Sequence, residues 1–465
     1  MKIPSVFRRL FAEGAFNQAF IPVLAEYKGK NILEVKNLIN NTLGTLTLAL
    51  LSLTTLVLLF TPVFVMIFAP GFYNEPLKKE LAEDILQITF PYLFFVSLVA
   101  FSGSILNSYQ KFSLPALTPL FYNLILIIAA IWFAPKIEAP IYAIAWGVFF
   151  AGIIQFLIQI PSLVRLGLLP RFKFNMHHPG VRKVMFLMIP GLIAGGISQI
   201  NMLVDTILAS FLSTGSPSWL YVSDRLMQLP LGIFAIAVGT VILPRLSSLF
   251  IEDNKEAFSN TLDWSIKLIL LIGFPAVIGL VLLSESIILS LFERGAFTSN
   301  DSLQSSYSLI ALAFGLVAFM LIKILTPSFF ARQEPKKPMY VALFSLFLNA
   351  ILAWQLAFNL ELGHVGLAIA SSLSAFLTAF ILLLLLRIEK VYDPSEGWLL
   401  FWVRLIFASF SLLIFLLFFR EEPSTLRELN NFWQLFYLLK IVILGIALYL
   451  LALRLTGARI KDFIN

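Results

Sequence analysis

The chain has 465 residues, of which 59% are hydrophobic and 13% are charged, and its formal net charge is +7. A water-soluble domain carries about a quarter charged residues, so this composition excludes an ordinary soluble globular protein. The sequence contains no cysteine, which excludes disulfides, thiolate metal sites and cysteine nucleophiles.

Apolar stretches long enough to cross about 30 Å of hydrocarbon recur along the whole chain. Backbone groups in lipid need internal hydrogen bonds, and runs such as LTLALLSLTTLVLLF (46–60) show no strand-like alternation, so the stretches are predicted to be helices. In chain order the predicted spans are 8–26, 43–69, 86–108, 115–134, 139–164, 183–212, 216–244, 261–283, 303–330, 338–359, 363–387, 398–419 and 432–453. The sequence thus predicts an all-α polytopic membrane protein with about thirteen transmembrane helices.

The loops between these spans differ in basic content when they are numbered alternately. One set, with the C-terminal tail, holds 19 of the 33 Lys and Arg residues, and the other set holds six. The positive-inside rule places the richer set of loops and the C-terminus in the cytoplasm. It also explains the positive net charge, so nucleic-acid binding is not needed to explain it. Thirteen spans then place Lys2, Arg8 and Arg9 outside. We expect either one further span upstream or a water-filled cavity that holds these charges.

A weak internal repeat relates the two halves of the chain. Ala143-Ile144-Ala145 and Ala368-Ile369-Ala370 open apolar helices about 225 residues apart, each after a helix with one asparagine, Asn123 or Asn349. Repeats of this kind are typical of transporters built from two similar lobes. The predicted domains are an N-lobe (1–164), a cytoplasmic linker (165–182), a C-lobe (183–387) and a C-terminal helix pair with its tail (397–465).

Ionisable side chains within a span are costly, and they usually face a cavity or each other. Arg225 lies about nine residues into its span, near mid-depth, and adjacent Asp224 points about 100° away from it. Arg225 is therefore predicted to present a free guanidinium, which suits paired phosphate oxygens. Arg404 and Lys440 lie nearer helix ends and are interpreted as snorkelling side chains. Lys267 and Lys323 are left open between the two interpretations.

Signatures of enzymes are scarce in this sequence. His177, His178 and His364 have no metal-ligand spacing with carboxylates, and no P-loop occurs, so ATP is not expected to be the direct energy source. A membrane-embedded glycosyltransferase would need a carboxylate or metal site in a loop, and none is found. We expect a transporter without a cofactor.

Five segments carry a resemblance to a known family over essentially the whole chain. They are KIPSVFRRLFAEGAFNQAFIPVLAEYK (2–28), NSYQKFSLPALTPLFYN (107–123), SWLYVSDRLMQLPLGIFAIAVGTVILPRLS (218–247), ERGAFTSND (293–301) and KILTPSFFARQEPKKP (323–338). With them the chain closely resembles the MurJ (MviN) lipid II flippases of the multidrug/oligosaccharidyl-lipid/polysaccharide exporter superfamily. The resemblance implies two MATE-like six-helix lobes around a cationic cavity, two C-terminal helices, and a first family helix that has no counterpart after Met1.

The resemblance also implies a set of site residues. Those expected to line the cavity and bind the pyrophosphate headgroup are Arg8, Arg9, Glu13, Ser218, Asp224, Arg225 and Gln228. Gln228 stands where relatives often carry glutamate, so an acidic role is not expected there. Asp205 and Asn349 look like two ligands of a sodium site found in some relatives, but Ala353 stands where a carboxylate would help.

The function that the resemblance implies is movement of undecaprenyl-pyrophosphoryl-linked peptidoglycan precursor from the inner to the outer leaflet of a bacterial inner membrane, and we expect it to proceed by alternating access. The expected partners are lipid II and membrane lipids, without nucleic acid and with a monomer favoured. Coupling to Na⁺ or to the membrane potential is left open. The alternatives are a flippase for another polyprenyl-linked saccharide, a MATE-type drug antiporter, and a non-transporting scaffold.

Overall fold

The computed structural model describes residues 15–28, 31–332 and 334–457, and these form a succession of α-helices without a β-strand among them. Side chains at 189–199 and at scattered helical positions are outside the description. The helices are α1 Ala15–Lys28, α2 Ile32–Leu59, α3 Thr61–Phe68, α4 Pro76–Thr89, α5 Tyr92–Ser108, α6 Ser113–Ile128, α7 Pro140–Arg165, α8 Pro179–Ser210, α9 Ser216–Pro230, α10 Ala237–Ile251, α11 Lys255–Leu282, α12 Ser284–Phe292, α13 Ser299–Ala331, α14 Lys336–Trp354, α15 Gly363–Ile388, α16 Trp398–Phe419, α17 Pro423–Glu428 and α18 Asn431–Leu455. A π-helical turn, Leu231–Ile236, joins α9 to α10.

Within the described residues, 11 helical stretches are long and apolar enough to cross a membrane. Each overlaps one predicted span, and the two remaining predictions, 8–26 and 183–212, include residues or side chains outside the description. The prediction of an all-α multi-pass membrane protein is confirmed. The orientation of the C-terminus stays a prediction.

The boundaries of the second predicted span, 43–69, were wrong. The helix α2 begins at Ile32, in a segment predicted to be a loop, and it ends at Leu59, with Phe60 between it and α3. The side chain of Asn31 caps α2 by accepting a hydrogen bond from the N–H of Leu33 at 3.1 Å. Val35 and Leu38 are buried, so the segment is an amphipathic helix whose polar face lowers its average hydrophobicity.

The described chain forms two compact units, 1–207 and 208–465. The predicted division into N-lobe, linker, C-lobe and C-terminal helix pair describes functional domains rather than compact units, and it stays a prediction. In the unit 1–207, aromatic rings from α1 and α5 form part of the core. The ring centroids of Phe16 and Phe20 are 5.3 Å apart, and that of Phe101 is 5.2 Å from Phe20.

The segment between α7 and α8 lies across α2 in this first unit. The backbone N–H of Arg171 donates to Asn40 Oδ1 at 2.7 Å, and Lys173 Nζ donates to Asn37 Oδ1 at 3.1 Å. Gly44 makes the crossing close, since a Cβ built there would lie 2.2 Å from the carbonyl oxygen of Lys173. The opposing atom belongs to the backbone, so a side chain at position 44 forces the segment away.

Gly44→Ala is therefore expected to loosen this segment and to destabilise the unit by on the order of 1–3 kcal/mol, as overpacking does. Limited trypsin digestion of the purified protein should cleave faster after Arg171 and Lys173 in the variant. The matched control is Gly279→Ala in α11, where no atom lies within 4 Å of the added Cβ. The control should leave digestion unchanged and melt no lower, because alanine favours a helix over glycine. If trypsin cleaved Gly44→Ala no faster than the unmodified chain, the close contact between Gly44 and the backbone of Lys173 would be contradicted.

In the unit 208–465, α13 is the central helix and packs against α9, α11 and α15. Its end is held to α14 and α15 by four charged residues. Arg332 and Lys337 each contact Glu389, at 2.8 and 2.7 Å, and each contacts Glu334, at 2.9 and 2.8 Å. Burial alone would raise the pKa of Glu389, but its bonds to Lys337 and Arg332 outweigh burial and lower that pKa. The turn in the KILTPSFFARQEPKKP segment is thus fixed by ion pairs that include a partly buried arginine.

The C-terminal helices α16 and α18 pack on α11 and α12 of the same unit. Leu412 and Ile441 lie in their shared apolar cluster, and the hydroxyl of Tyr449 donates to the carbonyl of Leu271 at 2.7 Å. At the α17 end, Arg427 pairs with Glu285 and Glu293 at 2.9 Å each. These ion pairs and the apolar cluster hold the C-terminal pair to the unit 208–465.

At the opposite end of the pair, Asp263 of α11 holds the segment that leads into α16. Its carboxylate accepts hydrogen bonds from Tyr392 and Trp398 at 2.8 Å and from the Ser395 hydroxyl at 2.5 Å. Lys267 Nζ lies 2.7 Å from the same carboxylate. Burial, and next the bond to Asp263, raise the pKa of Tyr392 well above its usual range, so this hydroxyl remains a donor. Asp263 is 2% exposed and satisfied on every side.

Candidate functional site on helix α9

Helix α9 carries four of the predicted site residues, and one of its faces is fastened to α13. Gly215 precedes the helix with a φ of 104°, a conformation that favours glycine, and Pro217 lies in the first turn. On the buried face, Trp219 Nε1 donates to Asp301 Oδ1 at 2.8 Å, and the Ser223 hydroxyl donates to the carbonyl of Ser305 at 2.7 Å. These bonds fix the rotation of α9 about its own axis.

That rotation leaves the opposite face of α9 open. Ser218, Tyr221 and Arg225 are exposed, and Asp224 and Gln228 are partly exposed. Their spacing of three, four and seven residues places them along one side of a helix. The structure therefore brings all four predicted α9 residues to a single polar face, with Tyr221 among them.

The guanidinium of Arg225 has no carboxylate within salt-bridge distance among the described residues. Asp224 is engaged elsewhere, since Gln228 Nε2 donates to Asp224 Oδ2 at 2.5 Å. Arg225 lies instead over the ring of Tyr221, with 5.0 Å from Cζ to the ring centroid. A cation–π contact orients a guanidinium and leaves its N–H groups free to donate. The side chain is thus prepared for an anionic oxygen pair.

The role of Gln228 follows from the same hydrogen bond. Its amide nitrogen donates to Asp224, so at this position the chain uses a neutral donor that a glutamate could not supply. The Asp224–Gln228 pair keeps one carboxylate on this face without a second one beside it. The net charge of the open face of α9 is therefore close to zero, with its positive group exposed at Arg225.

Tyr221 was missed by the sequence analysis, which singled out ionisable groups only. It is 45% exposed and lies one turn before Arg225. The spacing of Tyr221 and Arg225, i and i+4 on one helix, is the signal that could have identified it. Lys323 on α13, which the sequence left open, is also exposed. No carboxylate in the described part of the chain pairs with Lys323.

The remaining predicted site residues are placed as follows. Arg8, Arg9 and Glu13 lie outside the described residues. Asn349 is 1% exposed and its Oδ1 is 3.5 Å from the Ser374 hydroxyl, whereas Asp205 is partly buried and belongs to the other compact unit. No group of three His, Asp or Glu residues suited to a metal ion occurs among the described residues. The sodium site at Asp205 and Asn349, like the cavity assignment, stays a prediction.

Solved structures of transporters share this arrangement of helices. An inward-facing multidrug resistance transporter of the MATE family is 15% identical, with a TM-score of 0.68 over 84% of this chain and 89% of its own. At that identity the likeness defines the fold alone. The structure titled "Lipid II flippase MurJ, inward closed conformation" gives a TM-score of 0.80 at 29% identity, over 97% of this chain and 89% of that one. The class of the protein is therefore a multi-pass helical transporter with the fold of the MATE exporters.

Sequence relatives narrow the class to one family. The family model described as "Lipid II flippase MurJ" matches residues 1–438. A probable lipid II flippase MurJ of Vibrio cholerae is 41% identical over 473 residues, covering 99% of this chain and 89% of its own. A probable lipid II flippase MurJ of Haemophilus influenzae is 39% identical over 475 residues, covering 98% and 92%. The chain belongs to the lipid II flippase MurJ family.

Proposed function

We propose that this protein moves lipid II, the undecaprenyl-pyrophosphoryl-linked peptidoglycan precursor, from the inner to the outer leaflet of a bacterial inner membrane. The observation that carries the proposal is the exposed guanidinium of Arg225 on a membrane-crossing helix, oriented by Tyr221 and without a carboxylate partner among the described residues. A pyrophosphate supplies the paired anionic oxygens that such a fork binds best. Membership of the family supports the same cargo.

The transport step we propose is alternating access. The headgroup binds at the polar face of α9 while the site is open to the cytoplasm, and it is released after the site opens to the other side. The polyprenyl tail stays in hydrocarbon throughout, because it is too apolar to follow the headgroup. No covalent bond changes in this step, so the chain acts as a transporter and needs no cofactor for chemistry. In this proposal the C-terminus lies in the cytoplasm, and Na⁺ or the membrane potential supplies the energy.

The test is complementation of a bacterial strain whose own lipid II flippase is depleted. Expression of this chain should restore growth and should make lipid II accessible to a lipid II-cleaving enzyme added from outside the cells. Sensitivity to cationic drugs should stay unchanged, since a drug antiporter is the competing activity of this fold. A chain that inserts at normal levels but restores neither growth nor accessibility would contradict the proposal.

A further inference from the structure

A second polar site lies in the unit 208–465, away from the open face of α9. A cavity of about 230 Å³ opens where α11, α16 and α18 meet. Lys267 contributes from α11, Arg404 from α16 and Leu453 from α18, and Gly397 forms the rim at the start of α16. The volume exceeds that of a phosphate group, and the cavity is open to its surroundings.

Arg404 gives this cavity an uncompensated positive charge. Its Nε donates to the carbonyl of Thr456 at 3.2 Å, which fixes the side chain against the end of α18. No carboxylate in the described ranges lies within salt-bridge distance of its terminal nitrogens, and the residues lining the cavity include none. Lys267 is already paired with Asp263 at 2.7 Å and contributes a polar wall rather than a full free charge.

The beginning of α16 adds to the positive potential at the rim. Gly397 precedes the helix with a φ of 90°, and no side chain caps the first turn. The first N–H groups of a helix have no partner within it, and together they carry a partial positive charge. Arg404 lies seven residues after Gly397, on the same side of α16. Its charge and the uncapped helix start therefore both favour an anion in this cavity.

The rest of the cavity wall is apolar and adjoins a surface that faces hydrocarbon. Leu271, Leu400 and Leu405 line the cavity. Next to it on α16, Leu399 is 82% exposed and Val403 is 56% exposed. On a membrane-crossing helix, such exposed side chains contact lipid tails. A free anion gains nothing from leucine walls, whereas a molecule with an anionic head and apolar chains matches both parts of the site.

We propose that this cavity binds the phosphate of an anionic glycerophospholipid, with its acyl chains along α16 and α18. The charge distribution of the loops predicts that it comes from the cytoplasmic leaflet. The bound lipid adds a link between α11 and the C-terminal pair beside the contacts of Asp263. The site uses no residue of the open face of α9, so loss of phospholipid binding can be distinguished from loss of the proposed headgroup site.

The test is lipid retention by the purified full-length protein. Phosphatidylglycerol and phosphatidylcholine are added to the protein in an uncharged detergent, and bound lipid is counted by native mass spectrometry. Arg404→Gln should weaken phosphatidylglycerol binding about fivefold, the effect of one basic residue near an anionic lipid. Phosphatidylcholine binding should not change. Arg454→Gln is the matched control, because Arg454 is exposed near the same end of α18 and does not line the cavity.

A second pair of variants separates loss of binding from loss of folding. Leu400→Glu places a carboxylate in the cavity, and a carboxylate in the first turn stabilises a helix, so the variant should fold and repel the phosphate. Leu400→Gln puts a side chain of similar size without the charge at the same position and should lose less phosphatidylglycerol binding than Leu400→Glu. Equal retention by Arg404→Gln and the unmodified chain would overturn the proposal. Displacement of the lipid by millimolar inorganic phosphate, with binding of that phosphate dependent on Arg404, would overturn it too.

Discussion

Arg225→Ala is expected to abolish complementation of a flippase-depleted strain at normal protein levels. Arg225 lies nine residues into α9, roughly 13 Å from the helix start at 1.5 Å per residue. Bound pyrophosphate excludes water from the guanidinium, and losing one partner of such a desolvated charged pair costs about 2–5 kcal/mol. Transport should therefore fall on the order of a hundredfold. The measurement is growth together with external accessibility of lipid II.

Two further variants show which property of Arg225 matters. Arg225→Lys keeps the charge but loses the planar fork, so it should restore transport only in part. Arg245→Ala is the matched control, because Arg245 is exposed in the second half of α10 and belongs to the same helical stretch. The control should complement fully. Growth supported by Arg225→Ala at normal membrane levels would remove Arg225 from the headgroup site.

Asp263→Asn is expected to give the largest loss of stability. The carboxylate is 2% exposed and accepts hydrogen bonds from Tyr392, Ser395 and Trp398, and it pairs with Lys267. Without the charge, the Lys267 ammonium stays partly buried and unpaired, a change that costs about 3–5 kcal/mol. The melting temperature of the purified protein should fall, and the segment entering α16 should become sensitive to protease.

The control for Asp263 is Asp393→Asn, only two residues from Ser395. Its side chain is 92% exposed and lies 3.6 Å from Arg387, so this ion pair contributes little. A double variant, Asp263→Asn with Lys267→Met, should be less destabilised than Asp263→Asn alone, because it removes the unpaired charge as well. Equal melting of Asp263→Asn and Asp393→Asn would show that the carboxylate does not hold the C-terminal pair.

The sequence was most accurate where one segment carries all the information. Hydrophobic stretches located the 11 helical stretches of the described chain that are long and apolar enough to cross a membrane, because a helix in lipid satisfies its own hydrogen bonds. The boundary at Ile32 was wrong for the converse reason, since α2 begins as an amphipathic helix whose buried side is defined by its neighbours. Depth within a span also singled out Arg225, and the family followed from long sequence motifs.

The sequence alone could not assign partners. Asp224 and Arg225 are adjacent in the chain, yet Asp224 bonds to Gln228 and Arg225 lies over Tyr221. Rotation of α9, set by Trp219 against Asp301 on another helix, decides which of these groups is open. Arg404 shows the same limit. As a residue near a helix end it resembles a snorkelling side chain, and only the packing of α11, α16 and α18 places it in a cavity.

The sequence by itself determined the class of this protein, the helical stretches able to cross a membrane in the described chain, and its family, because hydropathy and long motifs are properties of contiguous segments. The tertiary structure decided which charges are compensated and which are exposed. Asp263 and Lys267 pair with each other one helical turn apart and form hydrogen bonds with side chains more than a hundred residues away in the chain, whereas Arg225 and Arg404 find no carboxylate among the described residues. The physical reason is that charge compensation acts over a few ångströms in space, and only folding sets those distances.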